Sequence, residues 1–312
     1  MANYIIRRLF MLVVILFSAS LIIFLIMKAA PGDPATVLLG ENATKQAIIE
    51  VNAKYGLDKP LPIQYVKMMT NLLKGELNSI YYKDNVLKIV TKRLPATLEL
   101  GFFAIVLAVA ISVPVGIISA VKRNSIFDYL AMSTALLGVS IPVFFTGIIL
   151  MYVFAVKLSW LPASGFGGHI WTAEGFKHFI LPGISLSFVL MSSTTRLTRS
   201  AMLDVINQDY MRTAKAKGLS KMKIILTHGL KNAMIPIVTN IGNQVASIFA
   251  GAVLTETVFS WPGVGRLAVD AVFRRDEPLV FGAVVMLAGI YVVVNLFVDI
   301  LYAFIDPQIS YD

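Results

Sequence analysis

Six long apolar runs dominate the chain and leave few folds open to it. Residues 9–27, 100–121, 130–156, 179–195 and 233–254 hold no Asp, Glu, Lys or Arg, and a sixth run, 279–305, holds only Asp299. A helix rises about 1.5 Å per residue, so about 17–25 apolar residues cross the hydrocarbon of a bilayer; only the fourth run is marginal. Hydrophobic residues make up 57% of the chain and charged residues 14%, against about 25% charged in soluble domains. No soluble core keeps so many uncharged runs from water without aggregating, so lipid is their solvent. The expected class is an all-α integral membrane protein with six spans. Residues 1–29 read as a retained anchor, because the run after Arg7 and Arg8 spans and no small-residue cleavage site follows. Pro182 is expected to open the fourth span and Pro236 to sit in the first turn of the fifth, while Pro114 and Pro142 lie deeper and should kink their helices.

Charge placement sets the expected orientation. With a cytoplasmic N-terminus, twelve basic residues fall on the inner side and five in the two short outer loops. The loop 30–98 carries nine more, but it exceeds the length of about 60 residues beyond which loop charge stops orienting a chain. Both termini are therefore expected in the cytoplasm. Loop 30–98 reads as a folded external subdomain, in which Ile63, Val66, Met69, Leu72 and Leu73 recur at helical spacing and should bury one face.

Several function classes are excluded. The chain has no cysteine, hence no disulfide, thiol catalysis or thiolate metal site. No Gly-Lys dipeptide occurs, so no G-x-x-x-x-G-K-[ST] phosphate loop can be written. His169, His178 and His228 are dispersed and form no metal cluster, and neither H-E-x-x-H nor G-x-S-x-G is present. No catalytic constellation remains.

The segment 196–232 is the most informative. Arg196, Arg199, Arg212, Lys215, Lys217, Lys221, Lys223 and Lys231 face Asp204 and Asp209, a local balance of +6 within a chain of net charge +9. Leu203, Ile206, Tyr210 and Ala214 share a helical face, Gly218 ends the pattern, and Met222, Ile225 and Leu226 begin a second amphipathic piece. Two short helices joined at a glycine are expected. Such a surface can lie on anionic lipid, serve as a solvated face that only fixes orientation, or dock a soluble partner.

Within the spans, Asn240, Asn243, Gln244 and Ser247 cluster at spacings of three and four. They line a polar pathway or bond helix to helix. Ser185, Ser187, Ser192, Ser193, Thr194 and Thr195 carry the same two readings. Asp299, near the inner end of the sixth span, serves a proton relay or reaches the interface to pair with a basic residue, the latter preferred, and Glu99 reads as structural, near the N-terminus of the second span. Glu256 and Arg266 flank Trp261-Pro-Gly-Val-Gly265, a rigid turn read as an outer docking point or as an interfacial Trp anchor.

The run Asp209-Tyr-Met-Arg-Thr-Ala-Lys-Ala-Lys-Gly-Leu-Ser220, with His228-Gly-Leu-Lys-Asn-Ala233 and Pro236, resembles the coupling loop of binding-protein-dependent ABC permeases of the dipeptide, oligopeptide and nickel branch. Arg7-Arg-Leu, Pro31-Gly-Asp-Pro34, Arg93-Leu-Pro-Ala-Thr-Leu-Glu-Leu100, Glu256-Thr-Val-Phe-Ser-Trp-Pro-Gly-Val-Gly-Arg266 and Asp306-Pro307 extend the resemblance along almost the whole chain. Against the broader Glu-Ala-Ala-x3-Gly consensus, Arg212, Thr213 and Ala214 stand at the first three positions and Gly218 at the glycine, so the consensus carboxylate is missing.

The resemblance implies a type I importer permease fold with its core at 99–306. It also implies that Tyr210, Arg212, Thr213, Ala214, Lys215, Lys217 and Gly218 couple to separate ATPase subunits. A second, similar permease, one or two kinds of ATPase and an extracellular or periplasmic binding protein would be the partners, in a bacterial or archaeal cell membrane. ATP and Mg would be used by the partner subunits, with no cofactor on this chain. The implied cargo is a di- or oligopeptide; a nickel or other small-solute permease and an ion-driven secondary carrier are the alternatives.

Overall fold

The computed structural model describes residues 2–29, 39 and 44–305, without the side chains of residues 2–9, 54, 55 and 299–305. The Pro31-Gly-Asp-Pro34 and Asp306-Pro307 motifs and the side chains of Arg7, Arg8 and Asp299 thus lie outside the described residues. The elements are α1 Ala2–Ala29, α2 Lys45–Tyr55, α3 Leu61–Lys74, α4 Val86–Val121, α5 Ile126–Ser140, α6 Val143–Lys157, α7 Ala173–Ile206, α8 Asp209–Ala216, α9 Lys221–Val258, α10 Val264–Phe273 and α11 Glu277–Ile305. Two stretches are wound as π-helix: Met151–Lys157, which ends α6, and Ile224–Leu230, near the start of α9.

Helices α1, α4, α7, α9 and α11 are each long and apolar enough to cross a membrane. The expected third span is broken. α5 and α6 meet at 115°, because Pro142 lacks an N–H and forces Ile141 out of the helical region, to φ −91° and ψ 130°. Counted as one bent span, the pair brings the total among the described residues to six.

The other prolines correct the sequence reading differently. Pro182 and Pro236 lie inside α7 and α9 and do not open them. Pro95 and Glu99 lie inside α4, which reaches back into residues that hydropathy assigns to the loop. Apolar runs mark the part of a helix that sits in lipid, whereas its ends are set by caps. Asn85 Oδ1 accepts from Lys88 N at 3.2 Å to start α4, and Thr172 Oγ1 accepts from Gly175 N at 3.0 Å to start α7.

The chain divides into two compact units. The first joins residues 1–98 to 260–292. In its core, Tyr65 sits among Phe17, Phe24 and Phe281 in edge-on ring contacts, with its hydroxyl 2.8 Å from Ser20 Oγ. That placement corrects the expected face of α3. Gln64, Tyr65, Met68 and Leu72 are buried, whereas Ile63, Val66 and Leu73 are 51%, 58% and 79% exposed. The tyrosine goes inside with its hydroxyl bonded and the glutamine with its Nε2 donating to the Leu57 and Lys59 carbonyls at 2.9 and 2.6 Å, whereas hydrophobicity alone selects the neighbouring stripe. Asp276, almost fully buried, accepts from Ser79 Oγ, Ile80 N, Tyr81 N and Leu279 N and ties the turn after α3 to the start of α11. Lys28 pairs with Glu277 beside it.

Trp261 is fully buried in this unit, and its Nε1 donates to the Ala96 carbonyl at 2.9 Å. It is therefore neither an interfacial anchor nor an exposed docking point. The turn it belongs to is pinned a second time by Val264 N, which donates to Thr97 Oγ1 at 2.8 Å.

The second unit joins residues 99–259 to 293–312. α7 packs with α5, α6 and α9, and small residues let the backbones approach. A Cβ on Gly138 would lie 1.9 Å from Ser192 Oγ, and one on Gly183 would lie 2.3 Å from the Phe103 ring. Ser185 Oγ donates to the Val143 carbonyl at 2.9 Å, just past the break, and so ties α7 to the start of α6. Glu99 meets His169 Nδ1 at 2.7 Å, a contact between two segments and not a helix-terminus effect.

Candidate functional site

The basic hairpin is built from the end of α7, the short helix α8 and the start of α9. α8 carries Asp209 in its first turn and Lys215 in its last, each at the end where the helix dipole favours it. Lys217 N and Gly218 N close on the Thr213 and Lys215 carbonyls at 3.1 and 3.0 Å. Gly218 then turns the chain at φ +74° with no atom within 4 Å of where a Cβ would sit. Glycine reaches that left-handed conformation without steric cost, and the expected stop at this residue is present.

The faces of the hairpin differ from the expected pattern. The chain turns between Ile206 and Asp209, so Leu203 and Ile206 belong to α7 while Tyr210 and Ala214 belong to α8. The buried residues of α8 are Met211 and Ala214. Tyr210 is 41% exposed, with its hydroxyl accepting from Asn232 Nδ2 at 3.1 Å. Met211 and Asn232 were missed in the sequence; the i, i+3 pairing of Met211 with Ala214 was the available signal. Met222 and Leu226 are exposed, and the second helix is not short, since it runs unbroken from Lys221 to Val258.

Arg212, Thr213, Lys215 and Lys217 are all exposed. Arg212 makes a loose 3.6 Å pair with Asp209, both largely in solvent, which is worth little. Arg199, counted in the sequence with the loop charges, lies within α7. Its Nε and Nη2 grip Asp128 at 2.5 and 2.7 Å, so it is already committed. Behind α8 lies a cavity of about 540 Å³, with Ala120, Ile206 and Ile225 in its wall and Arg212 and Lys215 in its lining. The hairpin thus offers an anionic partner cations on a short helix that is packed through Met211 and Ala214 against the ends of the spans.

The polar cluster of α9 splits into two faces. Gln244 Nε2 donates to Ser193 Oγ at 2.6 Å and to Asn240 Oδ1 at 2.9 Å, and Asn240 Nδ2 donates to Thr194 Oγ1 at 3.1 Å. These two residues join α9 to α7. Asn243 and Ser247 are exposed, in a stripe with Thr239 and Thr257. Ser185, Ser187, Ser192, Thr194 and Thr195 are buried, and Ser187, Ser193 and Thr195 also bond to carbonyls of their own helix.

Residues 112–311 match the model for the binding-protein-dependent transport system inner membrane component, and residues 1–101 match that for the N-terminal part of such membrane components. The chain belongs to this family of transport permeases. It is 41% identical over 333 residues to the dipeptide transport system permease protein DppB of Alkalihalophilus pseudofirmus, with all of both chains covered. It is 41% identical to the oligopeptide transport system permease protein AppB of Bacillus subtilis and 40% identical to the glutathione transport system permease protein GsiC of Salmonella paratyphi A, again over the full length of both chains. A solved structure titled as inward-facing conformations of the MetNI methionine ABC transporter shares the fold, with a TM-score of 0.52 at 14% identity, covering 70% of this permease and 97% of that chain. This permease is accordingly a multi-pass membrane protein of a bacterial type of transport system.

Proposed function

We propose that this permease forms half of the pathway of an ATP-driven importer of di- or oligopeptides, paired with a second, similar permease. One observation carries the reading: relatives named for dipeptide, oligopeptide and glutathione transport match it from end to end. Glutathione is itself a tripeptide, so the three names share a cargo class, which favours peptides over nickel. Both termini face the cytoplasm, and a soluble binding protein delivers the peptide on the outer side.

ATP and Mg are used by separate ATPase subunits, and α8 is the part of this chain that meets them. The exposed residues Tyr210, Arg212, Thr213, Lys215 and Lys217 form the contact; buried Ala214 seats the helix and Gly218 ends it. What supports this role is the combination of an exposed basic face with a buried anchor, since a helix that transmits a push must be free on one side and fixed on the other. Closure of the ATPases then biases the spans only through contacts that differ between the two states. The exposed face of Asn243 and Ser247 lines the pathway, where a peptide exchanges water for other hydrogen-bonding groups.

The test is ATP-dependent uptake by the reconstituted complex. Arg212→Glu with Lys215→Glu is expected to abolish uptake at unchanged membrane abundance, and unchanged uptake would remove the coupling role. Uptake by this chain alone, driven by an ion gradient, would replace the importer with a secondary carrier.

A further inference from the structure

The first unit holds a cavity of about 220 Å³ whose lining includes Arg93, Arg266 and Arg274, with Tyr82 and Asp270. Three guanidinium groups against one carboxylate leave a formal charge of +2 on a small volume. Arg93, on α4, is half-buried and makes no ion pair or hydrogen bond among the described residues. Arg274 lies 4.1 Å over the ring of Tyr81 and 5.7 Å from that of Tyr82. A ring face holds a cation in place without neutralising it. Arg266 donates to the Ser260 carbonyl at 2.5 Å and stands 3.8 Å from Asp270, too far for a hydrogen bond. The arrangement is pre-organised, because buried Asp276 accepts from Tyr81 N at 3.0 Å and so fixes the turn on which Arg274 rests.

Like charges gathered in a small volume repel, and a carboxylate placed among guanidinium groups relieves that repulsion through short paired hydrogen bonds. We infer that this cavity is a carboxylate socket that receives an acidic side chain of the soluble binding protein. The inference rests on the importer reading and on the orientation that places this cavity outside. Charge decides among anionic occupants. A free peptide brings an ammonium group with its carboxylate, and a cavity of net positive charge opposes the former. A lipid needs apolar wall for its chains, and Pro262 and Leu267 supply little. An Asp or Glu side chain brings only the carboxylate.

The experiment uses the full complex in nanodiscs and the binding protein that stimulates its ATP hydrolysis. Docking affinity is measured at low and high salt for wild type, Arg93→Gln and Arg93→Glu. Arg93 makes no ion pair or hydrogen bond among the described residues, so the thermal midpoint of each variant should match wild type. Arg93→Glu is expected to weaken docking by about tenfold or more at low salt, the size of an uncompensated like-charge contact. Arg93→Gln should weaken it less, and high salt should narrow both differences. Equal docking by all three proteins overturns the socket. So does an Arg93 effect that appears only in phosphatidylglycerol nanodiscs and not in phosphatidylcholine, or one abolished by free dipeptide at saturating concentration. Failure of the wild-type complex to dock any binding protein would instead overturn the importer reading.

Discussion

Arg199 holds Asp128 through two parallel hydrogen bonds of 2.5 and 2.7 Å, joining α7 to the first turn of α5. The carboxylate is 2% exposed and also accepts from Asn124 N at 3.0 Å. Removing one member of such a pair strands the other in a poorly hydrated place, at a cost of about 3–5 kcal/mol. Asp128→Asn is therefore expected to lower the thermal midpoint of the detergent-solubilised protein sharply, and the double variant Asp128→Asn with Arg199→Leu should recover much of it. A double variant worse than the single one would contradict this account of the pair.

The crossing of α5 with α7 at Gly138 and Ser192 leaves no room for a methyl group. Gly138→Ala should cost about 1–3 kcal/mol by forcing the helices apart. Adding Ser192→Gly to Gly138→Ala should restore stability by moving the bulk to the other side. Gly289→Ala serves as the control, since nothing lies within 4 Å of a Cβ there. Membrane abundance and thermal midpoint, measured together, check all three.

The two faces of α9 should separate under mutation. Gln244→Leu loses its bonds to Ser193 and Asn240, so it should destabilise by about 0.6–2 kcal/mol, the usual range for helix-to-helix bonds in membranes. Asn243→Leu and Ser247→Leu should leave stability unchanged and impair uptake. Wild-type uptake in both would take the exposed face out of the pathway.

Trp261→Phe keeps most of the buried ring but gives up the indole's bond to the Ala96 carbonyl. The expected loss is about 1 kcal/mol, against about 3–5 kcal/mol for Trp261→Ala, which also opens a cavity. A similar midpoint for the two would show that the side chain is not packed as described.

Much of this architecture was legible because lipid demands it: a run of 20 uncharged residues has few fates other than to span. Gly218 was legible for an equally local reason, since a left-handed residue at a helix end calls for glycine. What stayed hidden depended on neighbours distant in sequence. Tyr65 faces inward only because Ser20 satisfies its hydroxyl, so no pattern within α3 alone distinguishes it from Ile63 or Val66. Trp261 resembles a surface anchor until Ala96, 165 residues away, supplies its acceptor. Within the hairpin, the helix and its charges were readable in advance, but Met211, paired with Ala214 at i, i+3, was passed over for the larger Tyr210, because the chain break after Ile206 that turns Tyr210 outward does not show in the local pattern. Pro142 was recognised as a kink, yet a kink and a 115° break differ in whether the next residues resume the same axis.

The wide winding at Ile224–Leu230 sits where α9 leaves the hairpin. A π turn accommodates one residue more than an α turn, so reverting it to α geometry would swivel everything before it by about 100° around the helix axis, at 3.6 residues per turn. Such a change in winding would reorient α8 while leaving unbroken the rod that carries it.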